Sequence, residues 1–222
     1  MTIDDKLVLY IGEKNISSWS MRGWLAMHHK GLSFEERTIE LRVDKDRRQR
    51  RQVTPTGKVP VLHHGELAIP DSLAIIEYLE ETFPAPKFPP LWPREKSARA
   101  HARWLAAAMH SGFPKLREGM SFNLCFLPAP PAPPPEALQE AAEMLGWFEE
   151  ALGRKQETGA FLFGGFGAAD VMFAPAVVRL TAFEVPARET PRAAAYLQAV
   201  LDHPPVARWL REARALPPRG TY

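Results

Sequence analysis

Lys6-Leu7-Val8-Leu9-Tyr10-Ile11-Gly12-Glu13-Lys14-Asn15-Ile16-Ser17-Ser18-Trp19-Ser20-Met21-Arg22 changes character twice. Lys6 to Ile11 is a short, nearly continuous apolar run, the pattern of a strand covered on both faces. A polar loop follows. From Met21 the residues Trp24, Leu25 and His28 recur at helical spacing, and Gly31 after Lys30 marks a left-handed helix stop. The stretch therefore reads strand, loop, helix. Its loop sits where free backbone N–H groups and the positive end of the helix dipole favour an anion.

Outward from this unit, Phe34 to Leu41 reads as a second, charge-decorated strand. Val59 to Leu62 and Leu67 to Ile69 form a hairpin around a His64-Gly65 turn. Asp71 and Ser72 occupy a helix N-cap ahead of Leu73, Ile76, Leu79 and Phe83 on one face. The order is βαβ, a link, then ββα. Five prolines from Pro84 to Pro93 exclude regular structure and mark a linker. The division is thus an α/β domain over 1–83, a linker over 84–93 and an all-α domain over 94–222.

In the second part every periodic segment is helical. Ala98, Ala102, Leu105, Met109, Gly112 and Leu116 form one stripe, and Leu138, Ala141, Leu145, Phe148 and Leu152 another, giving an antiparallel pair joined through the prolines of 128–135. That proline run reads as a stiff surface connector. Ala168 to Leu180 is apolar nearly all round, which predicts a central buried helix bent at Pro175. Thr190-Pro191 opens a helix through Leu201, and Val206, Trp209, Leu210 and Ala213 define a last one.

Composition narrows the function classes. A net charge of +2 gives no general pull toward nucleic acid or an anionic membrane. The basic run Arg42 to Arg51 has no interleaved aromatics and reads as a solvated segment that raises local anion concentration. The single Cys125 excludes an internal disulfide framework and reads as a small buried hydrophobe, in keeping with a reducing compartment. No leader and no apolar run of about 18 residues is apparent, so a cytoplasmic location is expected. His63, His64, His101 and His110 lack metal-ligand spacing with cysteine or carboxylate, and no metal is implied.

Chemistry concentrates in three places. Around Asn15 to Arg22 the anion favoured by a helix start could be a thiolate. A free thiol is only about 3% ionised at pH 7, and each unit by which its pKa falls is worth about 1.4 kcal/mol. A serine there acts as hydrogen-bond donor to sulfur, or as a plain helix cap. Gly57-Lys58-Val59-Pro60-Val61-Leu62 carries a proline in a strand pattern, at home on an edge or with a cis bond. A cis bond would turn Val59's N–H and C=O outward to pair with an extended peptide. Asp71-Ser72 is either a cap alone or a holder of an amino-acid end, Ser72 and the helix amides taking the α-carboxylate and Asp71 the ammonium.

Together these segments resemble the soluble glutathione transferases, and Ser17-Ser18-Trp19-Ser20-Met21-Arg22 is similar to the zeta-class motif Ser-Ser-Cys-x-x-Arg. The resemblance implies a thioredoxin-like N-terminal domain, a helical-bundle C-terminal domain, a cis Pro60 and a homodimer. It implies glutathione as co-substrate, with Ser17 the hydroxyl donor to its sulfur and Ser18 the alternative for that role. Ser18 and Trp19 would line the pocket, Val59 would pair with the cysteinyl backbone, Asp71 and Ser72 would hold the γ-glutamyl end, and Lys45 and Lys58 would stand near the glycyl carboxylate. Met109, His110 and Phe113 would contribute to the electrophile pocket. Trp19 replaces the motif's cysteine, and Gly167 in Phe166-Gly167-Ala168-Ala169-Asp170 replaces the family's usual Ser or Thr cap.

The expected activity is conjugation of glutathione to a small electrophile through a serine-stabilised thiolate, as in detoxification, with no metal or redox cofactor. The alternatives are a glutathione-dependent cis-trans isomerase of the maleylacetoacetate type and, in another class, a non-catalytic ligand-binding or interaction module.

Overall fold

A computed structural model describes residues 6–41, 51–54, 56–155 and 158–217. The opening stretch forms β1 (Leu7–Gly12) and α1 (Ser18–His29). Leu9 and Ile11 of β1 are fully buried, as a central strand requires. The remaining strands are β2 (Glu35–Ile39), β3 (Val61–His64) and β4 (Leu67–Pro70), followed by α2 (Ser72–Thr82). Sheet order is β2-β1-β3-β4, with β1 and β2 parallel and the other pairs antiparallel. β2 is an edge strand, which accounts for its charged residues.

β3 begins two residues later than the pattern predicted, because Pro60 has no N–H to give the ladder. The Val59–Pro60 bond is cis. Gly65 takes φ 59° at the hairpin turn and Gly31 φ 66° after α1, conformations in which a side chain would be strained.

The second domain comprises α3 (Lys96–Ser111), α4 (Pro114–Gly119), a 3₁₀ turn (Phe122–Phe126), α5 (Pro135–Arg154), α6 (Ala168–Ala182), α7 (Pro191–Asp202) and α8 (Pro204–Arg214). Here the structure corrects two readings. The first stripe spans two helices: α3 ends at Ser111, Phe113 turns left-handed at φ 59°, and Pro114 restarts the chain as α4. A residue before proline disfavours the α conformation, so the break falls there. In α5 Ala141, Leu145, Phe148 and Leu152 of the expected stripe are buried, but Leu138 is exposed and Ala137 takes its place on the buried face.

α6 is buried along almost its whole length and packs against both α3 and α1, joining the two domains. Its start explains Gly167. Leu91 of the linker accepts from Ala168 N at 2.7 Å, and a Cβ on residue 167 would meet that same carbonyl oxygen at 2.8 Å. A linker carbonyl therefore serves the first free amide of α6, and a side chain at residue 167 is excluded by its presence. Asp170 completes the cap by accepting from Gly167 N at 2.9 Å and Leu162 N at 3.1 Å. Burial outweighs those bonds and pushes its carboxyl up to about 6. No helix among the described residues is long and apolar enough to cross a membrane.

Candidate functional site

Ile16, Ser17, Ser18, Trp19, Leu41, Thr56, Gly57, Lys58, Val59, Pro60, Asp71, Ser72 and His110 line one cavity of about 810 Å³. The three segments singled out in the sequence therefore converge. Larger-scale order follows from the fold: α1 and α2 both start at this face, and the loop before β3 closes it.

Ser17 is the N-cap of α1. Its Oγ accepts from Ser20 N at 3.2 Å and donates to Ser20 Oγ at 2.8 Å, and Ser20 Oγ accepts from Gly12 N at 2.9 Å. The hydroxyl is held by the turn on which a thiolate would rest, and the first-turn amides beside it have no intrahelical acceptor. Ser18 Oγ accepts from Arg179 Nη2 at 3.2 Å, which leaves its own proton to give and polarises it.

At the opposite end, Asp71 Oδ1 caps α2 by accepting from Leu73 N at 2.8 Å, and Oδ2 lies 3.2 Å from His110 Nε2. Ser72 is fully buried and its Oγ has no partner among the described residues. His110 comes from α3, so the helical domain reaches the Asp71 end of the cavity. Burial pushes the imidazole below its usual pKa; Asp71 acts the other way, and Arg22 and Arg117 add to the fall.

The other expected residues are placed as follows. Val59 and Lys58 border the cavity, Lys58 being exposed. Lys45 lies outside the described residues, as does most of the basic run around it. Met109 is fully buried in the core, and the Phe113 ring packs 4.9 Å from Trp147, so neither lines the cavity. Cys125 is partly buried, and desolvation pushes its thiol up to about 11, which makes it inert.

Sequence reasoning missed a cluster of arginines. Trp19 is flanked by the guanidinium of Arg22 at 4.4 Å and that of Arg117 at 4.9 Å from its ring centre. Arg179 lies over the Phe122 ring at 5.1 Å and donates to Met120 O at 2.8 Å as well as to Ser18. Arg22 is almost fully buried with Nε and Nη1 unpartnered, and burial followed by repulsion from Arg117 and Arg179 pushes its pKa well down. Arg179 is lowered to about 10, first by burial. Arg179 carried the signal that could have found the cluster: it is the one cation in an otherwise apolar run, where a charge is costly without a purpose.

Two family models match the chain, "Glutathione S-transferase, N-terminal domain" over residues 13–87 and "Glutathione S-transferase, C-terminal domain" over residues 98–212. The chain belongs to the glutathione S-transferase family. A probable maleylacetoacetate isomerase of Caenorhabditis elegans is 36% identical over 113 residues, 51% of this chain and 50% of that protein. Glutathione S-transferase Z1 of Arabidopsis thaliana is 38% identical over 98 residues, 44% of this chain and 42% of its own. The chain thus spans about half the length of the curated relatives it matches. A glutathione transferase homolog from Burkholderia gl BGR1, solved with bound glutathione, superposes with a TM-score of 0.70 at 29% identity, covering 96% of this chain and 99% of that one.

Membership of the glutathione S-transferase family accounts for the thioredoxin-like first domain and the helical second one. The same two-domain plan recurs in a zeta-class maleyl pyruvate isomerase at 23% identity and a TM-score of 0.70.

Proposed function

We propose that the chain is an enzyme that binds glutathione in this cavity, holds its sulfur as a thiolate on the Ser17 hydroxyl, and conjugates it to a small electrophile. The observation that carries this reading is that Ser17, Val59 and the Asp71-Ser72 pair border one space. In it Val59 would pair with the cysteinyl backbone and Asp71 and Ser72 would grip the γ-glutamyl end, which sets the sulfur at the start of α1. There the Ser17 hydroxyl, its proton turned from Ser20 Oγ to the sulfur, and the helix dipole stabilise negative charge. The thiol proton leaves to solvent, the thiolate forms a carbon–sulfur bond, and the displaced group departs with its electron pair.

The arginines favour a second reading of the same site, the isomerase. Arg22 and Arg117 beside Trp19 and Arg179 on Ser18 form a cationic wall behind the cavity lining, which would suit a carboxylate-bearing electrophile. The thiolate would add to a cis double bond conjugated to a carbonyl, rotation would follow about the resulting single bond, and sulfur would leave to give the trans isomer. A homodimer in the cytoplasm with a role in detoxification completes the reading; sedimentation at twice the chain mass is the expected result.

The deciding experiment is ultraviolet difference titration of the glutathione thiolate band on the wild type, Ser17→Ala and Ser18→Ala. Ionisation well below the free thiol's range of about 8.5, lost in Ser17→Ala alone, is expected. Loss in Ser18→Ala instead transfers the role to Ser18. A folded wild type that forms no thiolate overturns the catalytic reading in favour of a binding module.

A further inference from the structure

The loop that carries Ser17 is held from a direction its own domain does not supply. Between β1 and α1 the chain turns on itself, with Ile16 N and Ser17 N both donating to Glu13 O at 3.0 and 2.9 Å. Lys14 and Asn15 form the outer side of that turn, and both are bound by the C-terminal end of the chain. Lys14 Nζ lies 2.5 Å from Glu212 Oε2 on α8 and 2.8 Å from Glu36 Oε1 on β2. The same ammonium sits 5.1 Å from the ring centre of Trp24 and 5.4 Å from that of Trp209. Trp24 Nε1 donates to Glu36 at 2.7 Å, and Trp209 Nε1 donates to the Lys14 carbonyl at 3.1 Å. Asn15 Nδ2 donates to Pro217 O at 2.9 Å.

One nearly buried lysine thus gathers the turn, α1, β2 and α8. Its side chain is only 11% exposed, so losing the Glu212 carboxylate leaves the ammonium with Glu36 alone at a site where water offsets little of the loss. Six of these contacts act on Lys14 or Asn15, within three residues of Ser17, and the bond from Trp209 Nε1 to the Lys14 carbonyl holds the main chain itself. Displacing α8 would let the turn relax and move the Ser17 hydroxyl, where a shift well under 1 Å already weakens a hydrogen bond.

We propose that Lys14, Trp209 and Glu212 are positioning residues for the Ser17 loop, so that the last helix of the second domain sets how strongly the first domain ionises glutathione. The proposal rests on the glutathione reading of the cavity. It requires no contact between α8 and the substrate.

The test compares the wild-type chain with Glu212→Gln, which keeps shape and removes charge, with Trp209→Phe, which keeps an aromatic ring and removes the N–H, and with Glu150→Gln, at an exposed α5 residue paired with Arg154, as control. Amide hydrogen exchange reads the loop, and the thiolate titration reads the chemistry. Both α8 variants should exchange faster over residues 12–20 than the wild type, with α5 and α6 unchanged, and should raise the ionisation midpoint of bound glutathione by up to about one unit. The control should change neither. Unchanged exchange over 12–20, an unmoved midpoint, or acceleration spread evenly over the whole chain overturns the proposal. If the wild type itself ionises no glutathione, the reading of the cavity falls and the proposal falls with it; altered exchange then reports a structural tie alone.

Discussion

Asp71 has two oxygens and two tasks. One oxygen accepts from the start of α2, and the other faces His110 Nε2 at 3.2 Å. With the imidazole neutral, Nε2–H steers the carboxylate while its full charge stays available to a substrate ammonium. On protonation the imidazolium competes for that charge, and it stands near Arg22 and Arg117, so cation repels cation across the Asp71 end of the cavity. The sign follows from the direction of the shift. Burial holds the folded pKa below the ordinary value of about 6.5, so the neutral form is favoured above that pH and is lost as pH falls through the lower folded pKa. Binding of S-methylglutathione, which has no thiol to titrate, should therefore weaken several-fold as acid is added, and His110→Gln should flatten the profile. Calorimetry across the pH range checks this; an equally steep profile in the variant would refute the role. Ser17 and Asp71 were legible in the sequence because a polar residue ahead of an apolar periodic run is a local signal. The partnership with His110 was not, since nothing local joins positions 39 residues apart.

Helix boundaries carry information that periodicity alone does not. The run from Ala98 to Leu116 keeps helical spacing through Gly112 and Phe113, which is why it reads as one stripe, yet Pro114 forbids continuation and splits it. That break was written in the dipeptide Phe113-Pro114; the choice of Ala137 over Leu138 at the start of the α5 stripe was not, because both are apolar and only packing chooses between them. Gly167 gives the opposite lesson. Against the family pattern it looks like a missing cap, worth a few tenths of a kcal/mol to restore. In the fold the site is filled by the Leu91 carbonyl, 2.8 Å from where a Cβ would stand. Gly167→Ser should therefore destabilise, by about 1–3 kcal/mol as overpacking does, in place of the gain that a hydroxyl cap would bring. Thermal unfolding of the variant decides between the two signs.

At the scale of the molecule, the proline-rich linker was readable and the convergence across it was not. Arg22 belongs to α1, Arg117 to α4 and Arg179 to α6, and the bond from Arg179 to Ser18 joins residues 161 positions apart. Three guanidiniums so close repel one another and give up hydration, a cost that a bound anion would offset. If the electrophile carries a carboxylate, its affinity should depend on this wall, while a neutral aryl halide taken up by the same thiolate should not feel it. A charge-assisted hydrogen bond is worth about 1.5–3 kcal/mol, or roughly 10- to 150-fold in kcat/KM. Arg179→Lys keeps a cation that can still reach backbone carbonyls but loses the planar fork, so it should fold and yet lose activity toward a maleyl diketo acid by a factor in that range. Conjugation of an aryl halide by the same variant should change little, because the proposed mechanism forms the thiolate at Ser17. A parallel loss on both substrates would mean that Arg179 serves Ser18 and the thiolate, and the acidic-substrate reading would have to be given up.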